Sequence, residues 1–189
     1  MLQGVLTKKG EATRARIVET AADLILERGV PRTSLEDVCV GTKTSKSQLF
    51  HYFPGGKTEL VAAIADFQSE RVLDAQRPHL DELDSFASWE RWRDAVLAHY
   101  DGNLACPISA LTNEAEVDVR PHMDRWFQYI HAGVERMDVT GDPDRIALAI
   151  FAALQGGLVV MKASHSIAPL EAALDGALTI LRAATAPSP

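Results

Sequence analysis

Three consecutive pieces decide how this chain is read: Thr33-Ser34-Leu35-Glu36, Gly41-Thr42-Lys43-Thr44, and Ser45-Lys46-Ser47-Gln48-Leu49-Phe50-His51-Tyr52-Phe53. The first has capping-box spacing, with the Thr33 hydroxyl and the Glu36 carboxylate each able to satisfy an orphan amide at a helix start. It opens a short helix whose Leu35 and Val38 face inward, and Gly41 ends it after barely two turns. Ser45-Lys46-Ser47-Gln48 repeats the capping spacing and opens a second short helix. Leu49 and Phe53, four residues apart, share its apolar face and leave Lys46, Ser47, Gln48 and His51 on the others. Two short helices joined by a brief turn containing Gly describe a helix-turn-helix. In such a unit the N-terminal end of the second helix reaches base edges in a major groove. A plain helical hairpin with solvated polar faces is the competing description.

Working outward, residues 11–28 carry Ile17, Ala21, Leu24 and Ile25 on one helical stripe, stopped by Gly29 and Pro31. Pro54-Gly55-Gly56 breaks the chain after the second short helix, and a long helix follows over Lys57–Gln76, closed by Pro78. Five further helices are expected at 88–103, 107–117, 121–137, Pro143–Ser164 and 169–184, four of them with a proline at or near the first turn. No period-2 alternation persists, so the fold class is all-α.

Composition sets the outer limits. The chain has 189 residues, 47% hydrophobic and 24% charged, which fits a soluble globular protein and excludes disordered or collagen-like classes. Cys39 and Cys106 are too few for a disulfide framework, and Met1 to Gly10 holds no apolar signal core. A cytoplasmic location is therefore expected. The apolar run 146–161 is shorter than the roughly 20 residues a spanning helix needs, so no membrane partner is expected and a core or subunit-interface helix is. Residues 1–60 carry 9 Lys+Arg against 7 Asp+Glu, while the remainder carries 10 against 19. That asymmetry suits a small nucleic-acid module on an acidic body, although an excess this slight also arises by chance.

Particular side chains can then be given roles. Lys46 can donate to guanine, and Gln48 can pair bidentately with adenine. Gln48 can instead fold back on Ser45 as a cap; readout is the favoured reading. Ser47 and His51 complete the base-reading set, with a solvated surface histidine as the alternative for His51. Thr33, Ser45, Tyr52 and Lys57 are assigned to phosphate contact, Thr33 and Lys57 because both stand at helix starts.

Residues 11–60 resemble the N-terminal domain of the TetR family of bacterial transcriptional regulators. The resemblance runs through Arg16-Ile17, Gly29, Thr33-Ser34, Val38 and the run Ser45 to Phe53, and Pro54-Gly55-Gly56-Lys57 with Glu59-Leu60 is similar to one subgroup. Lys43 stands where many members have the turn glycine, Ser47 replaces a frequent glycine, and Phe50 a frequent tyrosine. The resemblance implies an N-terminal three-helix helix-turn-helix domain at 1-57. A long helix then joins it to a helical ligand-binding and dimerisation domain at 58-189. It also implies a homodimer, a pseudo-palindromic double-stranded DNA operator and a small-molecule effector that releases the protein.

The aromatic residues Trp89, Trp92, Tyr100, Trp126 and Phe127, with Cys106 beside them, are candidates for a hydrophobic ligand pocket, core packing being the alternative for each. Cys106 at a helix start is either a reactive thiol or a small buried hydrophobe. The six histidines form no spaced cluster with cysteine or paired carboxylates, so no metal and no cofactor is expected, and no catalytic motif occurs. Leu154, Leu158, Leu174 and Leu178 on the last two helices are the expected dimer interface, with Gly156-Gly157 permitting close helix packing. The function expected is a ligand-responsive DNA-binding regulator, a repressor. A helical interaction module without DNA binding and a thiol-dependent enzyme using Cys106 are the alternatives.

Overall fold

The structure, a computed structural model, describes residues 7–101 and 118–185. The expected helix at 107–117, and Cys106 with it, lie outside the described residues. Eight α-helices are described: α1 (Lys8–Arg28), α2 (Leu35–Thr42), α3 (Lys46–Tyr52), α4 (Lys57–Gln76), α5 (Phe86–Tyr100), α6 (Arg120–Arg136), α7 (Pro143–Ser164) and α8 (Ala168–Thr185). A short 3₁₀ helix, His79–Glu82, which the periodicity did not suggest, precedes α5. There is no strand among the described residues, and the chain is all-α. It divides into two compact units, with the break inside α4 between Glu70 and Arg71.

In the first unit, Ile17, Ala21 and Ile25 of α1 meet Val38, Leu49, Phe53, Leu60 and Ile64, all at most 4% exposed. Gly41 makes the α1–α2 contact possible. A Cβ there would lie 2.9 Å from Cγ2 of Thr20, so a larger residue would force the two helices apart. The turn into α3 is held by the Thr42 hydroxyl, which donates to Val38 O at 2.7 Å and lies 2.6 Å from the Thr44 hydroxyl. Lys43 in this turn adopts φ 55°, ψ 36°, the left-handed conformation that glycine takes more readily.

The second unit is built on α7 and α8, its most extensive helix pairing. At their contact a Cβ on Gly157 would approach Cβ of Ala173 to 2.9 Å, so Gly157 permits the close packing, whereas Gly156 faces open space. The buried side is Ile150, Leu154, Leu158 and Met161 of α7 with Leu170, Leu174, Ala177 and Leu181 of α8. This corrects the interface expectation. Leu154, Leu158 and Leu174 are at most 1% exposed within a single chain and are core, whereas Leu178 is half-buried and keeps part of its surface for a partner. The apolar side chains left uncovered are Leu148 (57% exposed), Val159 (60%), Val160 (50%) and Ile180 (41%). A helix apolar nearly all round does not reveal from its sequence which stripe its own chain covers. At 22 residues α7 exceeds the apolar run and is long and apolar enough to cross a membrane by length and composition alone. Its inner face is instead packed against α6 and α8.

Candidate nucleic-acid interface

The helix-turn-helix is set by its caps. Ser34, not Thr33, is the N-cap of α2: its Oγ accepts from Asp37 N at 3.1 Å, and the Asp37 carboxylate accepts from Ser34 N at 2.8 Å. The Asp37 carboxylate also accepts from the Ser34 hydroxyl at 2.6 Å, and that bond together with the one from Ser34 N holds the carboxyl below its usual pKa, with the Arg28 guanidinium adding a smaller pull. Thr33 is only 3% exposed and its hydroxyl donates to Gly29 O at 2.9 Å. The phosphate role expected of Thr33 is therefore corrected: the group is turned into the end of α1. The sequence holds two overlapping capping boxes, Thr33/Glu36 and Ser34/Asp37, and tertiary packing chooses between them by burying Thr33.

At α3, Ser45 is the N-cap. Its Oγ accepts from Gln48 N at 3.1 Å, and Gln48 Oε1 accepts from Ser45 N at 3.0 Å. Gln48 thus takes the capping role rather than the outward one favoured from sequence, and its amide N–H₂ remains for an acceptor. Pairing it bidentately with adenine requires breaking a cap bond, a cost of about 1 kcal/mol. Ser45 likewise uses its hydroxyl oxygen as the cap acceptor, and its O–H proton remains to be donated. Lys46 is exposed, and its ammonium lies 3.3 Å from Glu36 Oε1 on α2. Ser47 and His51 are exposed on the same short helix, with the His51 ring edge-on to Tyr52 at 5.1 Å. Tyr52 is half-buried and packs against the core of the unit.

Lys57 opens α4, and its ammonium donates to Val30 O at 2.7 Å. The start of the same helix is already occupied, because Glu59 Oε2 accepts from Gly55 N at 2.7 Å. Lys57, expected at a phosphate, thus gives one of its three ammonium donors to a backbone carbonyl, and the Gly55 amide beside it is taken by a carboxylate. Sequence reading placed Glu36 in a helix cap; the structure instead sets its carboxylate 3.3 Å from the Lys46 ammonium, a contact between residues ten apart that no local spacing signals.

In the second unit the candidate pocket aromatics are mostly interior. Trp89, Trp92, Tyr100 and Trp126 are at most 1% exposed, and Phe127 is half-buried. Trp89 and Trp92 meet edge-on at 5.5 Å, and Trp126 and Phe127 both lie against Phe151 of α7, at 6.1 and 5.8 Å. Trp92 Nε1 donates to Gln76 Oε1 at 3.0 Å. Trp89 Nε1, Trp126 Nε1 and Gln155 Nε2 are buried donors without a hydrogen-bond acceptor among the described residues. Among the described residues no three His, Cys, Asp or Glu side chains come together as metal ligands do.

An all-helical chain with two capped short helices, the second presenting Lys46, Ser47 and His51 to solvent, is a helix-turn-helix DNA-binding protein by class. Residues 17–64 match the profile of the bacterial regulatory proteins of the tetR family. The chain is 28% identical to an uncharacterized HTH-type transcriptional regulator of Mycobacterium tuberculosis, over 85% of this chain and 90% of the relative. It is also 28% identical to the HTH-type transcriptional repressor NemR of Escherichia coli, over 86% and 90%. The crystal structure of reduced E. coli NemR superposes with a TM-score of 0.64 at 24% identity, covering 89% of this chain and 96% of that one. The regulatory protein TetR from Rhodobacter sphaeroides gives 0.72 at 13% identity, covering 89% and 98%. The helix-turn-helix segment thus matches the tetR family model, and the relatives that the chain resembles over most of its length are HTH-type transcriptional regulators.

Proposed function

We propose that the protein is a homodimeric repressor that holds a pseudo-palindromic operator and is released from it by a small apolar molecule. Residues 1-57 act as the DNA-binding domain and 58-189 as the ligand-binding and dimerisation domain. The observation that carries the DNA-binding half is the exposed N-terminal turn of α3, where Lys46, Ser47, Gln48 N–H₂ and His51 stand clear of the core. Ser45 and Tyr52 flank that turn and supply phosphate contacts. Two such helices read one operator when a two-fold axis holds them about 34–36 Å apart. The outer side of α7 and α8 supplies the axis, since Leu148, Val159, Val160 and Ile180 are left exposed there and a second copy would cover them.

The release step rests on Trp89 Nε1 and Trp126 Nε1. Buried donors without acceptors are rare in native interiors, and a ligand with carbonyl or similar oxygens on an apolar body would satisfy both the donors and the surrounding rings. Binding and release are reciprocal, with a coupling of about 1–3 kcal/mol typical of such systems. The test is binding-site selection followed by fluorescence anisotropy. Lys46→Ala and Gln48→Ala should each lose about 1–3 kcal/mol and relax the preference at one operator position. Unaltered sequence preference in both variants would remove α3 from the reading role.

A further inference from the structure

One side chain of α3 has no place in either the core or the polar set. Leu49 and Phe53 are 0% exposed, yet Phe50 between them keeps 39% of its surface in solvent. Residues three and four apart are neighbours on a helix surface, so Phe50 stands beside Ser47 and Lys46 on the exposed side of α3. Its ring is held along one edge. Gly56, buried and at φ 67°, brings bare backbone up to it: a Cβ there would lie 3.5 Å from Phe50 Cε1 and 4.0 Å from Leu35 Cδ1. The ring edge therefore rests on the turn between α3 and α4, and the rest of the ring faces water. A stiff side chain steadied in this way loses little freedom when something covers it.

What such a ring can meet on DNA is narrow. It has no donor or acceptor, so laying it on a phosphate oxygen or a polar base edge strips that group of water and returns no hydrogen bond. The base edges of the major groove carry one apolar group, the 5-methyl of thymine, and phenylalanine is among the side chains that suit it. Deoxyribose offers apolar surface too, but it runs with the phosphates, where contacts position a protein without reading sequence. Phe50 shares its side of α3 with Lys46 and Ser47, the residues placed at base edges, and this favours the methyl group over the sugar.

We propose that Phe50 is a specificity-determining residue that reads the 5-methyl group of one thymine in each half-site of the operator. This rests on the reading of α3 as the helix that enters the groove. The probe is the duplex recovered by binding-site selection with the full wild-type chain, in which each thymine is replaced in turn, symmetrically in both half-sites, by deoxyuridine. That change removes the methyl group and leaves every hydrogen-bonding edge and the sugar in place. Fluorescence anisotropy should find one thymine pair whose replacement weakens wild-type binding by about fourfold for each methyl lost, and so by more than about tenfold for the pair. In Phe50→Ala the thymine and deoxyuridine duplexes should bind alike, both more weakly than the wild-type chain binds thymine. Because removing the ring can loosen the turn at Gly56, Phe50→Gln provides a second variant: it keeps bulk beside the glycine, ends in a polar group, and should also lose the discrimination while circular dichroism stays unchanged. Three results overturn the proposal while leaving DNA binding by α3 intact: a selected duplex in which no thymine responds to loss of its methyl, a deoxyuridine penalty that persists undiminished in both Phe50 variants, or Phe50 variants that bind as tightly as the wild-type chain. Failure to select any duplex would instead remove the DNA-binding reading, and this proposal with it.

Discussion

Replacing Val159 by aspartate separates the outer face of α7 from its inner one. Val159 keeps 60% of its surface exposed within the single chain, while its neighbour Leu158 keeps 1%. Full burial of a valine is worth about 1.5–3 kcal/mol, so covering the part still exposed contributes about 1–2 kcal/mol per protomer. A two-fold interface repeats the contact, giving about 2–4 kcal/mol per dimer. Aspartate forfeits this and brings two carboxylates into an apolar contact, at several further kcal/mol for each ion. A total above about 5 kcal/mol weakens dimerisation more than about a thousandfold. Sedimentation equilibrium reads the shift directly, and circular dichroism confirms that the monomer stays helical. Operator binding should fall with dimerisation, since one recognition helix alone reads only a half-site. Leu158→Asp should behave differently: a charge in the chain's own core unfolds the second unit rather than releasing a folded monomer. Should Val159→Asp remain dimeric at wild-type concentrations, the subunit contact does not use this face. A monomer that kept full operator affinity would break the link between dimerisation and DNA binding.

Three further outcomes follow from single contacts. Glu36→Gln removes the acid 3.3 Å from Lys46 and should tighten operator binding as measured by anisotropy, while folding stability changes by less than about 1 kcal/mol because the pair is exposed; weaker binding would mean that Glu36 positions Lys46 rather than competing for it. Trp126→Phe keeps an aromatic ring but deletes a donor that has no acceptor, so urea unfolding should show little loss of stability while the response to effector falls; a full response would place the ligand elsewhere. Ser34→Ala should cost about 1 kcal/mol in urea unfolding by removing the α2 cap. The cap also carries a pH signature: the Asp37 pKa lies below 3.8 in the folded chain, so its contribution is present above pH 3.8 and fades as pH falls through the folded value. Ser34→Ala should show less of that acid loss, and identical acid profiles would remove the Ser34 bonds as its cause.

Much of this protein is legible along the chain because helix formation is a short-range matter. The stripe of Ile17, Ala21 and Ile25, the capping box at Ser45 and Gln48, and the proline before Asp144 each act within a turn or two, and each marks a helix that is there. The residue run around α3 was enough to indicate a DNA-binding class, since it states both where the helix starts and which of its sides is polar. Local signals lose their force where two of them overlap. Thr33/Glu36 and Ser34/Asp37 have the same spacing, and only the packing of Thr33 under α1 decides for Ser34.

Tertiary structure alone decided which apolar stripe of α7 is spent inside the chain. Leu158 and Val159 are adjacent residues on a helix that is apolar nearly all round, and the approach of α8 at Gly157 makes the former core and leaves the latter uncovered. The same holds for charge and hydrogen bonding. That Lys46 meets Glu36, that Lys57 is held by Val30 O, and that Trp92 finds Gln76 while Trp126 has no acceptor among the described residues all depend on which distant segments, 10 to 27 residues away for the three that pair, are brought together. Sequence periodicity specifies a helix and its polar side; which groups meet across helices is fixed by packing between segments that the sequence keeps apart.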